Sequence, residues 1–305
     1  MTQSHRCGSV AIVGRPNVGK STLLNRFLGQ KIAIVSPKPE TTRDRLLGVL
    51  TLPDAQLLFL DTPGIYRGAK TLMAKHQIQV AREALAEADV LLLMTEAQAG
   101  FTDEDRDLLR LLPKERGDSP AGTVPVFLAI NKVDRVKKDL ILPQLAVAGQ
   151  LYPFREIFPI SAENGTNVKE LLEALARSLP EGPPHYSSDQ VTDRPVRTMA
   201  QELIREQVLL FTHEEVPYSV AVLIEEWREG VRGAKIYVRA TIYVERDSQR
   251  IILIGKAGAL LKKVGQGARK GIETLAERPV FLDLWVKVAK NWRKDPVMLR
   301  RLGYG

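Results

Sequence analysis

The residues best suited to chemistry in this sequence form a loop bounded by glycines, GRPNVGKS, at positions 14–21. The loop follows the apolar run VAIV, precedes a helical pattern and fits the spacing G-x-x-x-x-G-K-[ST]. Backbone N–H groups of such a loop surround phosphate, while Lys20 reaches the β- and γ-phosphates and the Ser21 hydroxyl ligates Mg²⁺. The alternative is a glycine-rich surface turn. We predict phosphate contacts from Gly14, Arg15, Pro16, Asn17, Val18, Gly19, Lys20, Ser21 and Thr22.

A second motif, DTPG, occupies positions 61–64 after the apolar run LLFL. Asp61 ends a predicted strand and is well placed to hold Mg²⁺ through water, so nucleotide contacts are predicted from Asp61, Thr62, Pro63 and Gly64. In many nucleotide hydrolases of this kind a glutamine after the glycine orients the attacking water, but here the next residue is Ile65. Because phosphoryl-transfer catalysis is mostly positioning and charge neutralisation, the motif predicts slow hydrolysis.

Two further motifs favour guanine as the base. In NKVD (131–134), the Asp134 carboxylate can accept hydrogen bonds from the N1–H and exocyclic amine of guanine, a donor pair that adenine lacks. In SAENG (161–165), the backbone N–H of Ala162 can donate to guanine O6. Either motif alone is compatible with an ordinary loop or helix start. Behind a phosphate loop, they predict base contacts from Asn131, Lys132, Asp134, Ser161, Ala162 and Glu163.

The C-terminal part of the chain carries its excess positive charge. Residues 251–305 contain 12 Lys/Arg and 4 Asp/Glu, a net charge of +8 that equals the net charge of the whole chain. The loop GKAG (255–258) begins a basic amphipathic helix, as in KH modules that bring such a loop close to single-stranded nucleic acid. A tight turn with a solvated basic helix, or a patch for anionic membrane, is the alternative. The predicted RNA contacts are Gly255, Lys256, Ala257, Gly258, Lys262, Lys263, Arg269 and Lys270.

Two tryptophans near this basic helix have two interpretations. Trp285 and Trp292 can stack on bases, but the alternation in VFLDLWVKV is equally compatible with Trp285 in the core.

Short apolar runs alternate with amphipathic segments along the part of the chain that carries GRPNVGKS, DTPG, NKVD and SAENG. Strands are predicted at VAIV, AQLLFLD, DVLLLM, VPVFLAI and EIFPI, with helices at KSTLLNRFL, HQIQVAREALAEA, EDRDLLRLL and NVKELLEALARSL. This order predicts an α/β domain over residues 1–180, with a mostly parallel sheet and helices on both faces. PEGPPHYSSDQ predicts a linker, assigned to residues 181–194. The different order that follows predicts a smaller α+β domain over residues 195–305.

Composition limits the function classes. The 305 residues are 44% apolar, which is typical of a globular protein, and Cys7 is the only cysteine, so an intramolecular disulfide is excluded. The N-terminal residues lack the apolar core of a signal peptide, and runs such as VLLLM are too short to span a bilayer. We expect a cytoplasmic protein, and no obvious dimerisation element is present, so we expect a monomer.

The motifs GRPNVGKS, ETTRDR, DTPG, NKVD and SAENG resemble the five signature elements of translation-factor-class GTPases over about the first 180 residues. The resemblance implies GTP and GDP as ligands, with Mg²⁺ held by Ser21, Asp61 and Thr42; the neighbouring Thr41 is the alternative. It also implies that a K⁺ ion held partly by Asn17 supplies positive charge, unless Asn17 only shapes the loop. The catalytic set implied is Lys20, Thr42, Asp61, Gly64 and Asn17.

The GTPase motifs followed by a type II KH-like module are similar, over nearly the full chain, to the Era family of bacterial ribosome-assembly GTPases. The resemblance implies a GTP-gated protein whose KH module binds the single-stranded 3′ end of 16S rRNA during assembly of the 30S subunit. Ala257 departs from the glycine found in many members. Alternatives are a GTPase on the cytoplasmic membrane face, and a tRNA-modification partner, which would need extra folate- or partner-binding regions.

Overall fold

The computed structural model describes residues 5–39, 41–64, 71–113, 124–230 and 234–304. The chain divides into two compact units. The first comprises Met1–Ala33, Thr42–Ala69 and Gln77–Asp193, and the second comprises Ile34–Thr41, Lys70–His76 and Arg194–Gly305. Two short segments of the N-terminal half therefore cluster with the C-terminal unit. The division at residues 180 and 194 stays a prediction.

The first unit is built on a six-stranded sheet. Its strands are β1 (Arg6–Gly14), β2 (Leu46–Thr51), β3 (Ala55–Asp61), β4 (Val90–Glu96), β5 (Val126–Asn131) and β6 (Glu156–Pro159). They lie in the order β2-β3-β1-β4-β5-β6, with β2 antiparallel to β3 and the other neighbours parallel. Because the carboxyl ends of parallel strands share one edge, the residues after β1, β3, β5 and β6 are brought together there.

Helices cover both faces of this sheet. They are α1 (Lys20–Leu28), α2 (Leu72–Glu87), α3 (Asp103–Leu111), α4 (Ile141–Leu151) and α5 (Val168–Arg177). One face packs against α2, α3 and α4 through side chains such as Leu85, Leu108 and Ala148. The other face packs against α1 and α5, and the ring of Phe27 stacks on Phe59 at 4.8 Å. The predicted α/β architecture is confirmed.

Two elements of this unit have no counterpart in the predictions. Strand β2 contains Gly48 and lacks the two-residue alternation of a half-buried strand, because most of its side chains are buried. Helix α4 contains Pro143 and Gly149, both poor helix formers. Pro143 falls in the first helical turn, where the missing N–H would have no intrahelical partner.

The second unit is α+β, as predicted. Its elements are α6 (Val196–Phe211), α7 (Val216–Ser219), β7 (Ala221–Arg228), β8 (Ile236–Val244), α8 (Asp247–Ile254), α9 (Ala259–Ala276), β9 (Val280–Val288) and α10 (Pro296–Arg301). The strands lie in the order β7-β8-β9, with β7 antiparallel and β9 parallel to β8. Helices α6 and α9 bury residues such as Ile204 and Ala268 against the inner face of the sheet.

The two C-terminal tryptophans have opposite environments. Trp292 is fully buried in a cluster with Tyr243, Leu299 and Tyr304, and its Nε1–H donates to the carbonyl of Ser219 at 2.8 Å. Trp285 is 55% exposed on β9. Of the two interpretations of Trp285, the core position is therefore wrong.

We predict that Trp292→Phe lowers the free energy of unfolding by about 2 kcal/mol, because it removes buried volume and the indole hydrogen bond. Urea titration followed by circular dichroism measures the change. Trp285→Phe is the matched control and should change the free energy by less than about 0.5 kcal/mol, since its ring is largely solvated. Equal effects of the two substitutions would contradict this account of the C-terminal cluster.

Candidate functional site

The loop between β1 and α1 has the backbone geometry of a tight anion cradle. Asn17 and Gly19 adopt left-handed conformations, with φ of 64° and 105°. A Cβ atom on Gly19 would lie 2.3 Å from Nδ2 of Asn131, so only glycine fits there. Asn17 is exposed at the surface of the loop. The phosphate-contact residues predicted at positions 14–22 thus form one strand–loop–helix turn.

Lys20 lies inside this turn with 6% of its surface exposed. Its Nζ donates to the carbonyl oxygens of Gly14 and Arg15, at 3.0 and 2.9 Å. Burial lowers the pKa of Lys20 to about 8, while Asp61 opposes this shift and Arg15 adds to it. A polyanion in the loop would add opposite charge beside this buried ammonium and favour its charged form.

Three oxygen-bearing side chains meet beside Lys20. The Ser21 hydroxyl donates to Oδ2 of Asp61 at 2.7 Å and lies 3.0 Å from Oγ1 of Thr42, which is 3.4 Å from the same carboxylate oxygen. Thr41 instead donates to the carbonyl of Lys38 at 2.7 Å. Two hydroxyls and a carboxylate are hard oxygen ligands that suit Mg²⁺. The donor set therefore fits this ion.

The DTPG residues join this cluster to the phosphate loop. Thr62 is buried and its hydroxyl donates to the carbonyl of Ile12 at 2.9 Å. Pro63 is buried as well, and a Cβ atom on Gly64 would lie 2.6 Å from the backbone nitrogen of Pro16. Gly64 therefore permits close approach of the two loops. Ile65, the residue in the glutamine position, lies outside the described residues.

Asn131 links the phosphate loop to the SAENG loop. Its Nδ2 donates to the carbonyl of Val18 at 2.7 Å, and its Oδ1 accepts from the backbone N–H of Ala162 at 2.9 Å. The N–H predicted to meet guanine O6 is thus donated to Asn131 in this structure, so its contact with guanine stays a prediction. Ser161 is fully buried in the same loop, next to Ala162.

The remaining predicted base-contact residues surround this link. Lys132 has a left-handed backbone and pairs with Glu96 at 2.9 Å. The Asp134 side chain is 25% exposed and lies 3.9 Å from Arg135. The backbone carbonyl of Glu163 accepts a hydrogen bond from Arg26. The partly exposed carboxylate of Asp134 is accessible to a hydrogen-bond donor from solvent or ligand.

Two supporting residues, Asp105 and Arg26, were missed by sequence reasoning. Arg15 places its Nε 3.0 Å from both carboxylate oxygens of Asp105, a fully buried residue that also caps α3 through Thr102. Arg26 of α1 donates to the carbonyls of Ala162 and Glu163, the first at 3.1 Å. These contacts join residues 90 or more positions apart, and no local pattern indicates them. They fix the loops that carry the predicted contacts.

The GKAG loop connects α8 to α9 in the second unit. Gly255, Ala257 and Gly258 have positive φ values of 72°, 50° and 78°. A Cβ atom on Gly255 would lie 2.9 Å from Leu260, whereas one on Gly258 would meet no atom within 4 Å. The loop therefore exposes its backbone at Gly258. The predicted basic residues Lys256, Lys262, Lys263, Arg269 and Lys270 are all exposed.

Two basic side chains of α9 have intramolecular contacts. Lys263 places Nζ 4.2 Å from the ring centroid of Phe211, and Arg269 lies 4.0 Å from Glu273. Ile251 and Ile252, just before the loop, are 66% and 49% exposed. These isoleucines are not among the predicted RNA contacts. The loop thus lies between exposed apolar and basic surfaces.

None of the helices in the described part of the chain is long and apolar enough to cross a bilayer.

We predict that the affinity for a nucleoside triphosphate falls as the pH rises above about 8. The free protein loses the Lys20 charge as the pH passes its lowered pKa, so binding above that pH requires proton uptake. The decline is about tenfold per pH unit at most. Fluorescence titration between pH 7 and 9 measures it. Lys20→Met should bind more weakly but with a flat profile; an unchanged decline in this variant would contradict the assignment.

Comparisons with known proteins give a consistent result. A family model described as a 50S ribosome-binding GTPase matches residues 9–132, and a KH domain model matches residues 215–293. The GTPases Era of Geobacter metallireducens and Geotalea uraniireducens are each 46% identical to the chain over 299 residues, covering 98% of both sequences in each comparison.

Two solved structures are also similar over nearly the whole chain. One is Era in complex with MgGDPNP and nucleotides 1506–1542 of 16S ribosomal RNA, with a TM-score of 0.93, 41% identity and 99% coverage of both chains. The other is a variant of Aquifex aeolicus Era bound to GDP.AlF4-, with a TM-score of 0.91, 41% identity and coverage of 98% of this chain and 99% of that one. The chain therefore belongs to the Era family of GTPases.

Proposed function

We propose that the protein is a GTP-dependent switch that hydrolyses GTP slowly, binds the 3′ end of 16S rRNA through its KH domain and assists maturation of the 30S subunit. The observation that carries the proposal is the meeting of Ser21, Thr42 and Asp61 beside the buried ammonium of Lys20. The ligands of the related Era structures, MgGDPNP, GDP.AlF4- and a 16S rRNA fragment, support the same classes of ligand here.

Each residue of the phosphate site has a separate task in this proposal. Ser21, Thr42 and Asp61 would hold Mg²⁺, which neutralises phosphate charge when bound. Lys20 contributes a positive charge that burial leaves poorly solvated, so it gains most from a polyphosphate. Gly64 lets the DTPG backbone approach the phosphate loop closely. These tasks are mainly positioning and charge stabilisation, as phosphoryl transfer requires.

Base selection in this proposal depends on Asp134. Its partly exposed carboxylate would accept both donors of the guanine edge, and adenine would leave it unpaired. Asn131 would act through its links to Val18 and Ala162, which hold the base and phosphate loops at a fixed separation. Ser161, Lys132 and Glu163 would complete the wall of the base site.

Slow hydrolysis follows from the absence of a water-orienting glutamine. The residue after Gly64 is Ile65, whose side chain offers no hydrogen bond to water. Asn17, exposed on the phosphate loop, is the residue proposed to help hold a K⁺ ion that adds positive charge near the phosphates. A slow intrinsic rate would leave the GTP state long enough for an RNA-binding step.

We predict that GTP turnover by the wild type is several-fold faster in KCl than in NaCl, because K⁺ adds charge stabilisation near the phosphates. Asn17→Gly should make the two rates equal, since glycine accepts the left-handed backbone at this position without strain. Phosphate release measures turnover, and binding of a GTP analogue in both salts is the control for occupancy. Equal wild-type rates in the two salts would refute a role for K⁺.

RNA binding is proposed at the exposed side of the second unit. Gly258 has open space around its backbone, and the charges of Lys262 and Lys270 on the following helix are available to phosphates. Ile251 and Ile252 offer apolar surface to bases beside the loop. A basic helix combined with an accessible glycine backbone fits single-stranded RNA better than a duplex, whose bases are stacked inside.

We predict that Gly258→Asp weakens binding of a single-stranded oligonucleotide from the 16S rRNA 3′ end by about tenfold or more, because the added carboxylate repels phosphate. Aspartate tolerates a positive φ, and the site has room for it. Gly29→Asp is the matched control, since Gly29 also has a positive φ and open surroundings. Filter binding at fixed salt measures both variants; similar affinities would count against the KH loop.

The same two variants test the alternative of a membrane-associated GTPase. We propose a cytoplasmic monomer, with attachment to the cytoplasmic membrane face as the competing possibility. Co-sedimentation with vesicles containing anionic lipid separates the two. Strong vesicle binding that Gly258→Asp reduces, combined with weak RNA binding by the wild type, would favour the membrane function.

A further inference from the structure

The segment Ile34–Thr41 belongs to the second compact unit, although it lies in the sequence between α1 and β2 of the first. Helix α6 holds this segment at both ends. The backbone N–H of Val35 donates to Oε1 of Glu206 at 2.9 Å, and Nη2 of Arg205 donates to the carbonyl of Thr41. The position of this segment is therefore set by neighbouring residues of α6.

Arg205 is unusual for an arginine because it is fully buried. Its Nε donates to Oε1 of Glu202 at 2.9 Å, and Nη2 pairs with the other oxygen of that carboxylate at 2.5 Å. Burial lowers the pKa of Arg205, but the charge and hydrogen bonds of Glu202 outweigh burial, so the pKa of Arg205 is raised overall. The guanidinium is thus a fixed, permanently charged donor aimed at Thr41.

The contact with Thr41 bears directly on Thr42. The carbonyl of Thr41 and the N–H of Thr42 belong to the same peptide unit, which is planar. Holding that carbonyl therefore restricts the position of Thr42, whose hydroxyl lies 3.0 Å from Ser21. If the segment moved away, the buried guanidinium would lose an acceptor, which is costly for a charged donor.

We infer that Arg205 is a positioning residue for the nucleotide site, which orients Thr42 through the carbonyl of Thr41. The inference rests on the proposed function, in which Thr42 responds to Mg²⁺ and the γ-phosphate. Arg205 then favours the triphosphate over the diphosphate, because only the triphosphate has the γ-phosphate to which Thr42 responds. By linkage, a bound triphosphate strengthens the hold of α6 on the segment by the same factor.

The test compares affinities for a non-hydrolysable GTP analogue and for GDP, both with Mg²⁺. The double variant Arg205→Met with Glu202→Met removes both members of this ion pair, so that neither is left without its partner. We expect its analogue affinity to fall about tenfold, or about 1.4 kcal/mol, with GDP affinity changed less than about twofold. A merely structural role would lower the affinities for both ligands by the same factor, so the ratio of the two affinities is decisive.

Two further variants complete the experiment. Arg205→Lys keeps a charge beside Glu202 and should therefore retain part of the wild-type preference for the GTP analogue over GDP. Arg293→Met with Glu245→Met removes another ion pair of the second unit, at 2.6 Å, and should leave the ratio unchanged. Thermal melting verifies that each variant is folded. If the double variant does not fold, the affinity ratio of Arg205→Lys is compared with that of the wild type instead.

The outcomes separate the inference from the proposed function. If the wild type binds neither nucleotide, the proposed function is wrong. If it binds both and the Arg205 variants keep the wild-type ratio, the proposed function stands and the positioning role of Arg205 is refuted.

Discussion

The rest of the nucleotide site depends on two hydrogen bonds made by the side-chain amide of Asn131. It donates to the phosphate loop at Val18 and accepts from the SAENG loop at Ala162, so one buried group sets the separation of two loops. Its proximity also excludes any side chain at Gly19. Because Asn131 is buried, the loss of either bond would leave an unsatisfied polar group, which is costly.

The cations in and around this site differ in whether a carboxylate of the protein forms an ion pair with them. Lys20 is buried with a lowered pKa, and its Nζ has only carbonyl oxygens of its own loop as hydrogen-bond acceptors in the described structure. Arg15, by contrast, is paired with the buried carboxylate of Asp105, and Arg205 with Glu202. The paired arginines stabilise the fold of the loops, whereas the lysine gains most from an anionic ligand.

Much of the fold was predictable because its patterns are local. The apolar runs at β1, β3, β4 and β5 and the amphipathic spacing of α1, α5, α6 and α9 indicate these elements directly. Strand β2 and helix α4 were missed because Gly48, Pro143 and Gly149 contradict local propensity, and tertiary packing overrides it. Trp285 was ambiguous for a related reason: alternation shows that a strand has two different faces, but not which face packs against the rest of the protein.

The sequence by itself determined the chemistry predicted for this protein: a lysine for phosphate, a hydroxyl for Mg²⁺, a carboxylate for guanine and a glycine loop with basic residues for RNA. These depend on residue type and short spacing, which a chain shows directly. Only the tertiary structure decided that Thr42, rather than Thr41, meets Ser21 and Asp61. It also decided the partners of Arg15 and Arg205, because buried charges pair with whichever group the fold brings near them, however distant in sequence.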